Sequence, residues 1–582
     1  MIKLRSVALL ASALAGTSVI LAGCGTSTSP SAPTSAKAPA SIGNAAVVGL
    51  PAQVSLNWFF PIMPATAYSV YNNQTEFNMY VPLISVTSQD KLDYSRSLAS
   101  SITANSNGTV YTINLNHKYR WSNGTPVTSA DVVWTTQLLM YSSNTSNSKL
   151  PWMNGGAGIG GLPTRWKSVK ADGPYKVIVT LNTPSNPAWF IRNGLGQIVP
   201  APKSVWDIHK NMINEMNFIK SVGNSPQLSY YKVVDGPFKY DAALSKPNNQ
   251  YWTFVPNKSF DGQKASIGKL VYDYFTSSTS EFSSLQKGTI NVGYLPFHLY
   301  KERSKLTQDK FAAAYPFGFN YFVVNYNSAA PGHFGTLIKN PYARQALQMG
   351  IDQAAMIRSF ANGLGTPSIG PVPSKPLTPY FDQSLTNAYP YNPSAGKKLL
   401  LAHGFKLTNG VMTKNGIPFK FTLMYATGST LITDEVQLLK QDLAAEGIDV
   451  TLEGEPFDSV ISNNQSTASK WQALFWGGGW SYEPDYFPTG GGLFATNAGS
   501  NTGGYSNSTL DSLIKTTYEP GTGAQIISRM YAYQTFVAKH LPVIFMPEAE
   551  QYFENANYVH GVMKNYNPVL NLNWPNSWTI TH

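Results

Sequence analysis

The sequence predicts an α/β protein, because segments with the period of a strand alternate along the chain with segments that have the period and the end signals of a helix. Residues 109–115 alternate polar and apolar side chains, which is typical of a half-buried strand. Residues 433–446 predict a helix that stops at Gly447, and residues 448–452 predict the strand that follows it. Neither type of element forms a long run, which favours mixed layers.

The other predicted elements follow in chain order. Thr128 stands three residues before Asp131, and this capping-box spacing predicts a helix through Leu139. Residues 175–181 predict another strand. Three further helices are indicated by proline at a first helical position, by a capping aspartate or by a terminal glycine, and they cover residues 341–350, 352–363 and 393–404.

The N-terminus has the organisation of an export signal. A short basic head precedes an apolar stretch, residues 6–20, which is shorter than the ~20 residues that a membrane-spanning helix needs. Residues 21–24, Leu-Ala-Gly-Cys, resemble a bacterial lipobox, in which the cysteine is acylated and becomes the new N-terminus. We therefore predict a lipoprotein signal peptide over residues 1–23 and lipidation at Cys24. An ordinary secretory signal with a chance cysteine is the alternative.

The segment after the cysteine differs in composition from the rest of the chain. Residues 24–42 consist almost entirely of Ser, Thr, Ala, Pro and Gly, and cannot bury enough apolar surface to fold. They predict a flexible tether. The remainder of the 582-residue chain is too long for one compact core, so we expect two or three domains.

Composition excludes several classes of function. The net charge is +11 without any stripe of Lys or Arg, so nucleic acid is not an expected partner. Charged residues make up 13% of the chain, and the few carboxylates suggest an acidic external medium. The single cysteine excludes an intramolecular disulfide and a Cys-based zinc site. The eight histidines lack ligand spacing, so we expect no metal site of the protein's own and no cofactor, while nickel bound through a chelating ligand stays open as an alternative.

Motifs of catalysis are absent from the sequence or lack their context. Residues 156–161 match G-x-G-x-x-G, but no strand precedes them and no helix follows, so they predict a loop. Residues 262–269 miss the P-loop spacing by one position. We therefore predict that the chain is not an enzyme. The alternative is an exported hydrolase of peptides or glycans that uses Glu483 and Asp485, two acids separated by one proline.

Seven segments, taken in order, resemble the family 5 extracellular solute-binding proteins, the peptide and nickel binders of ABC importers. The most specific is YTINLNHKYRWSNGTPVTSADVVW, residues 111–134. In residues 284–291, Asn291 stands where the family usually has Asp. The other segments are residues 175–187, 235–238, 343–357, 504–514 and 541–545.

The resemblance implies a periplasmic-binding-protein-like type II clam-shell, in which two hinged lobes close on a ligand and a third domain is inserted in the first lobe. Trp121 and Trp134 are then expected in the core of the insertion. The implied boundaries are lobe I over residues 43–75, 205–295 and 541–582, the inserted domain II over 76–204, and lobe III over 296–540.

The resemblance also implies a ligand site in the cleft. In peptide-binding members an Asp after a Trp binds the peptide amine. Here that Asp is displaced, so Glu483 or Asp485 is the candidate replacement, with solvated loop acids as the alternative. Glycines allow close backbone approach, and Trp and Tyr offer large contact areas. The candidate ligand residues are Asn57, Trp58, Phe59, Asn320, Tyr321, Tyr425, Trp476, Gly477, Trp480, Tyr482, Glu483 and Asp485. Core burial is the alternative for each aromatic side chain.

The implied function is capture of an oligopeptide or a similar small solute by domain closure, followed by delivery to an ABC permease and its ATPase. The chain would be a monomer on the external face of the cell membrane, held there only through its lipid anchor. A receptor that senses peptide without transport is the second alternative.

Overall fold

The structure is a computed structural model that describes residues 42–246, 251–464, 469–482 and 487–581. The predicted signal peptide and Cys24 lie outside the described residues, as do Glu483 and Asp485. None of the helices within the described ranges is long and apolar enough to cross a membrane.

Sheet 1 is a mixed sheet of seven strands. Its first strand in the sequence, Ala45–Gly49, lies at the centre and pairs in parallel with both of its neighbours. The strands at the two ends of the order pair in antiparallel fashion. The order is Asp309–Ala314, Gln551–Ala556, Val292–Tyr294, Ala45–Gly49, Lys269–Asp273, Tyr251–Pro256 and Phe238–Tyr240.

Sheet 2 has six strands and is built around Gly318–Val324, all of whose residues are buried. That strand pairs in antiparallel fashion with three neighbours, one of which is Ile544–Met546. The order along the sheet is Asp449–Glu455, Lys420–Ala426, Ala473–Phe475, Gly318–Val324 and Trp480–Ser481.

Sheet 3 is antiparallel, and the chain forms it between the first and second strands that it contributes to sheet 1. Two of its strands confirm the predictions for residues 109–115 and 175–181, with a start one residue later in each case. Trp121 and Trp134 are buried, as expected. The order is Ala99–Ala104, Val110–Leu115, Lys176–Leu181 and Trp166–Ala171.

Helices cover the sheets. The predicted capping box is present, with the Thr128 amide donating to the Asp131 carboxylate at 2.8 Å. The helix predicted at 433 begins three residues earlier, with Ser429 at the N-cap position. The described α-helices are Val70–Met79, Ser129–Ser142, Pro187–Trp189, Lys203–Trp206, Met212–Val222, Ser278–Lys287, Phe334–Ile338, Pro341–Met349, Gln353–Phe360, Pro393–Ala402, Thr430–Glu446, Phe457–Asn464, Ser508–Thr517 and Gly523–His540.

Short elements complete the fold. Residues 156–161 form no strand–helix unit and instead include a short 3₁₀ turn, Ile159–Gly161, as the sequence predicted for a loop. The small strands pair as Lys406–Thr408 with Val411–Lys414 and Ile417–Pro418, Gly365–Thr366 with Glu548–Ala549, and Val559–His560 with Thr579–Ile580. The further short helices are Ala65–Ala67, Phe190–Gly194, Leu195–Gln197, Ser229–Lys232, Phe297–Lys305, Pro331–His333 and Pro575–Ser577.

Two crossing segments connect sheet 1 with sheet 2. In sheet 1, Asp309–Ala314 pairs with Gln551–Ala556, and in sheet 2, Gly318–Val324 pairs with Ile544–Met546. The chain therefore passes from one sheet to the other at residues 315–317 and again at 547–550. This pair of crossings joins two lobes, and the two-lobed α/β clam-shell that the resemblance implied is confirmed.

The strand pairings divide the chain differently from the predicted boundaries at two places. Asp309–Ala314 belongs to sheet 1, although it was predicted in lobe III. Ile544–Met546 belongs to sheet 2, although it was predicted in lobe I. Both boundaries fall within a ribbon that runs through from one sheet to the other, so no turn signal marks the change of lobe. The exact limits of the domains stay a prediction.

Candidate functional site

A cleft with two adjoining cavities lies between the elements of sheet 1 and those of sheet 2. The first, here named the neutral cavity, has a volume of about 310 Å³, and the residues described along its wall include no charged side chain. The second, here named the acidic cavity, has a volume of about 340 Å³, and Glu435, Glu548 and Glu550 lie in its wall. Tyr71 and Tyr294 line both, so the two cavities form one continuous cleft.

The loop after the strand Ala473–Phe475 forms one wall of the cleft, and its glycines are required by its backbone. Gly477 and Gly479 have positive φ values of 79° and 59°. A Cβ on Gly479 would lie 2.1 Å from the carbonyl oxygen of Phe319, so a side chain cannot be placed there. Gly478 differs, because its Cβ would meet no atom closer than 3.6 Å. The loop therefore brings backbone directly to the cavity surface.

Three aromatic side chains from sheet 2 line the neutral cavity. The Trp476 indole N–H donates to the Gly479 carbonyl at 3.0 Å, and this bond fixes the ring within its own loop. Trp476 packs edge-to-face against Tyr321, with ring centroids 5.2 Å apart. Trp480 is half-buried, and its indole N–H makes no hydrogen bond to the described residues. These rings give the wall a flat apolar surface.

The opposite wall comes from the sheet 1 lobe. Tyr71, on the helix Val70–Met79, lies edge-to-face with Phe457 at 6.4 Å, and burial raises the pKa of its hydroxyl to about 12. The Tyr294 hydroxyl accepts the amide N–H of Ala52 at 3.2 Å. Both phenols therefore remain neutral across the physiological pH range and can hydrogen-bond without adding charge.

The two lobes contact each other at one end of the cleft. The Thr427 hydroxyl, just after a sheet 2 strand, donates to the Gln53 side-chain oxygen at 2.7 Å. The Ser278 hydroxyl donates to the Gly428 carbonyl at 3.3 Å. The Ser55 hydroxyl also donates to the Asp458 carboxyl on the helix Phe457–Asn464, so the lobes are bridged by hydroxyl, amide and carboxyl groups.

The candidates Asn57, Trp58 and Phe59 lie in a segment that is neither strand nor helix, with Asn57 half-buried and the two aromatic side chains buried. Asn57 exchanges side-chain and backbone hydrogen bonds with Asn72. Trp58 is 6% exposed and donates its indole N–H to the Ile62 carbonyl at 3.0 Å. Phe59 packs edge-to-face against Tyr231. None of these three candidates lines either cavity.

The other candidates divide between the cleft and the interior. Tyr321, Trp476, Gly477 and Trp480 line the neutral cavity, and Asn320 and Gly477 line the acidic cavity. Tyr425 is half-buried outside both cavities. Tyr482 is buried, and its hydroxyl donates to the Pro371 carbonyl at 2.6 Å, so it serves packing.

Several lining residues were not singled out from the sequence. They come from segments that are far apart in the chain and carry no common motif. Ser69 is a helix cap that a capping pattern could have located, but nothing in the sequence places its helix beside the cleft. These residues include Tyr68, Tyr71, Ser278, Tyr294, Thr427, Ser429, Glu435, Glu548, Gln551 and Asn571.

Neither cavity has the features of a metal centre. Across the described ranges, no group of three or more His, Cys, Asp or Glu side chains is arranged to hold a metal ion. Glu550 is engaged by the Tyr552 hydroxyl at 3.0 Å. The arrangement is that of a binding cleft with aromatic, polar and acidic walls.

Comparison with known proteins agrees with this geometry. Residues 93–500 match the family described as "Bacterial extracellular solute-binding proteins, family 5 Middle". The oligopeptide-binding protein AppA of Bacillus subtilis is 23% identical over 468 residues, which are 78% of each chain. The structure of AppA with a nonapeptide superposes with a TM-score of 0.77 at 20% identity and covers 92% of this chain and 99% of that one.

A second solved structure shares the fold. NikZ from Campylobacter jejuni, in complex with Ni(L-His), superposes with a TM-score of 0.72 at 16% identity and covers 92% of this chain and 99% of that one. The relatives are binding proteins rather than enzymes. The chain belongs to family 5 of the bacterial extracellular solute-binding proteins, the family of peptide and nickel binders that serve ABC importers.

Proposed function

We propose that the chain is the lipid-anchored substrate-binding protein of an ABC importer, and that it captures peptides in the cleft and delivers them to a permease. The observation that carries this proposal is the cleft itself. It lies between two lobes that are joined by two short crossings, and its walls present aromatic rings and exposed backbone rather than a set of catalytic groups. The match to a peptide-binding relative over most of the chain supports it.

The expected mechanism is capture by closure of the lobes. A peptide bound between the walls would contact both lobes at once, so the closed form binds it better and the ligand shifts the population towards closure. The backbone at Gly477 and Gly478 supports hydrogen bonding to a peptide main chain, while Trp476 and Trp480 provide apolar contact without a strict side-chain requirement. Closure excludes water and strengthens these polar contacts.

Membrane attachment through Cys24 is part of the proposal. Cys24 is the one cysteine of the chain and stands at the lipobox position. We expect Cys24→Ala to release the protein into the medium, and we expect mass spectrometry of the native N-terminus to find acyl chains on this thiol. A variant that stays in the membrane fraction, together with a native N-terminus that carries no acyl group, would contradict the anchor.

The ligand proposal is tested on protein purified from its native source. Mass spectrometry of the co-purifying material should identify peptides, and small-angle scattering should give a smaller radius of gyration when those peptides are added back to stripped protein. A different class of co-purifying solute, or tight binding with an unchanged scattering profile, would overturn the ligand or the closure respectively. Permease and ATPase genes beside this one would support import, and their absence would favour sensing.

A further inference from the structure

The two cavities differ sharply in charge. The acidic cavity is bordered by Glu435 from helix Thr430–Glu446 and by Glu548 and Glu550 from the second crossing between the lobes. His298 also lies in this wall, and neither Lys nor Arg occurs among the described residues that line it. No lysine or arginine of the described wall therefore stands opposite these carboxyls.

Glu435 is the residue that separates this site from an ordinary acidic surface. Its side chain lines the cavity although the residue is only 3% exposed, and it forms no hydrogen bond or ion pair with the described residues. A buried carboxylate without a partner is strongly unfavourable, so the chain holds a binding group that its own residues leave unsatisfied. Burial raises the pKa of Glu435 well above its ordinary value, and the neighbouring Glu548 and Asp434 raise it further.

Glu548 repeats this situation at the crossing between the lobes. It forms no hydrogen bond to the described residues, and burial raises the pKa of its carboxyl to about 8. It belongs to the short strand Glu548–Ala549, whose backbone pairs with Gly365–Thr366, so its position is fixed by the fold. Two unsatisfied carboxyls thus face one cavity from two different elements.

We propose that the acidic cavity binds an ammonium or guanidinium group of the ligand, and that the protein selects peptides with a basic side chain. This inference rests on the proposed function and names its substrate class. The carboxyls of Glu435 and Glu548 accept charge-assisted hydrogen bonds from the cation. The rings of Tyr294 and Phe297 border the same cavity and supply π faces for a desolvated cation.

The arrangement favours an organic cation over a metal ion. A metal ion needs several ligands at about 2.0–2.6 Å, and across the described residues no acidic or histidine group has that arrangement. A long basic side chain instead reaches from a main chain held at Gly477 and Gly478, which border both cavities, into the acidic cavity. The neutral cavity then holds the uncharged part of the same ligand.

The experiment compares two tetrapeptide pools that are identical except at one fixed position. This position is lysine in one pool and Nε-acetyl-lysine, whose side chain has no charge, in the other. Binding to the full chain is followed by tryptophan fluorescence, because Trp476 and Trp480 line the cleft. We expect the wild type to bind the lysine pool about 10-fold more tightly or better, as a charge-assisted hydrogen bond requires. Glu435→Gln should lose that preference and bind the acetylated pool as the wild type does.

Glu446→Gln is the matched control, because Glu446 is a buried acid of the same helix and lines neither cavity. It should keep the full preference for lysine. Equal binding of both pools by the wild type, or an intact preference in Glu435→Gln, would overturn the cation site while leaving peptide binding in place. Binding of neither pool by the wild type would overturn the proposed peptide function together with the cation site.

Discussion

The buried carboxyl of Glu446 makes the stability of this protein depend on pH. The residue is fully buried at the end of helix Thr430–Glu446, and neither of its carboxyl oxygens makes a hydrogen bond to the described residues. Gly350 and Gly396 leave just enough room for it, since a Cβ on Gly396 would lie 2.4 Å from a carboxyl oxygen. Burial, and then the charge of Asp442, raises the pKa of the Glu446 carboxyl to about 9.

The sign of the pH effect follows from this shift. Between its ordinary pKa near 4.5 and about 9, the folded state holds a proton that the unfolded state has released, so the free energy of unfolding decreases as pH rises. Each pH unit in this window costs about 1.4 kcal/mol for one such group. From pH 5 to pH 7, the carboxyl of Glu446 therefore lowers the stability by about 3 kcal/mol.

The substitution Glu446→Gln keeps the shape of the protonated acid and removes the titration. Urea unfolding should give nearly equal stability for wild type and variant at pH 5, and a variant that is more stable by about 3 kcal/mol at pH 7. Glu453→Gln is the control, because Glu453 is exposed on the following strand and should change nothing. A difference between wild type and Glu446→Gln that is the same at both pH values would refute the reasoning.

Two further substitutions test local geometry. Asn291 is buried, and its side-chain amide donates to the Ala45 carbonyl at 2.9 Å. Asn291→Asp should therefore lower the free energy of unfolding by about 1–3 kcal/mol at pH 7, and by much less below pH 4, where a protonated acid can donate. A loss of stability in urea unfolding that does not depend on pH would contradict this. Gly479→Ala should lower the free energy of unfolding by at least about 1–3 kcal/mol, because an alanine is strained at this φ and its Cβ meets the Phe319 carbonyl. Gly478→Ala is the control and should change the stability by no more than about 0.5 kcal/mol. Equal thermal midpoints for the two variants would disprove the argument.

The elements that sequence reasoning located are those with local causes. The start of the helix after Thr128 is fixed by a capping box between two residues that are three positions apart. The strands at 109–115 and 175–181 are indicated by polar and apolar residues that alternate within seven positions. The loop after Trp476 was singled out because glycines, aromatic residues and acids are concentrated in residues 476–486. Each of these signals is contained in a short stretch, so no knowledge of the tertiary fold was needed.

The residues that sequence reasoning missed depend on contacts between distant segments. Glu435 lies on a helix whose sequence gives no sign of a cavity, and only the tertiary fold places it in one wall with Glu548. Trp58 shows the reverse case, because an aromatic residue beside the cleft was expected to contact ligand but turns into the core. Residues that are neighbours in the sequence can face either the cleft or the core, and the type of residue does not decide which of the two it faces.

Glu435 and Glu446 lie on the same helix, share a raised pKa and differ in what they face. Glu446 faces packed glycines and must keep its proton, whereas Glu435 faces a cavity where an arriving cation can replace the proton. The groups around Glu435 are Asp434 on its own helix, Glu548 and Glu550 on the crossing, and His298. Binding of the lysine pool should therefore strengthen as pH rises from 5 to 8, because fewer protons compete, while binding of the acetylated pool stays constant. Parallel pH profiles for the two pools would show that no carboxyl of the acidic cavity exchanges its proton for the ligand.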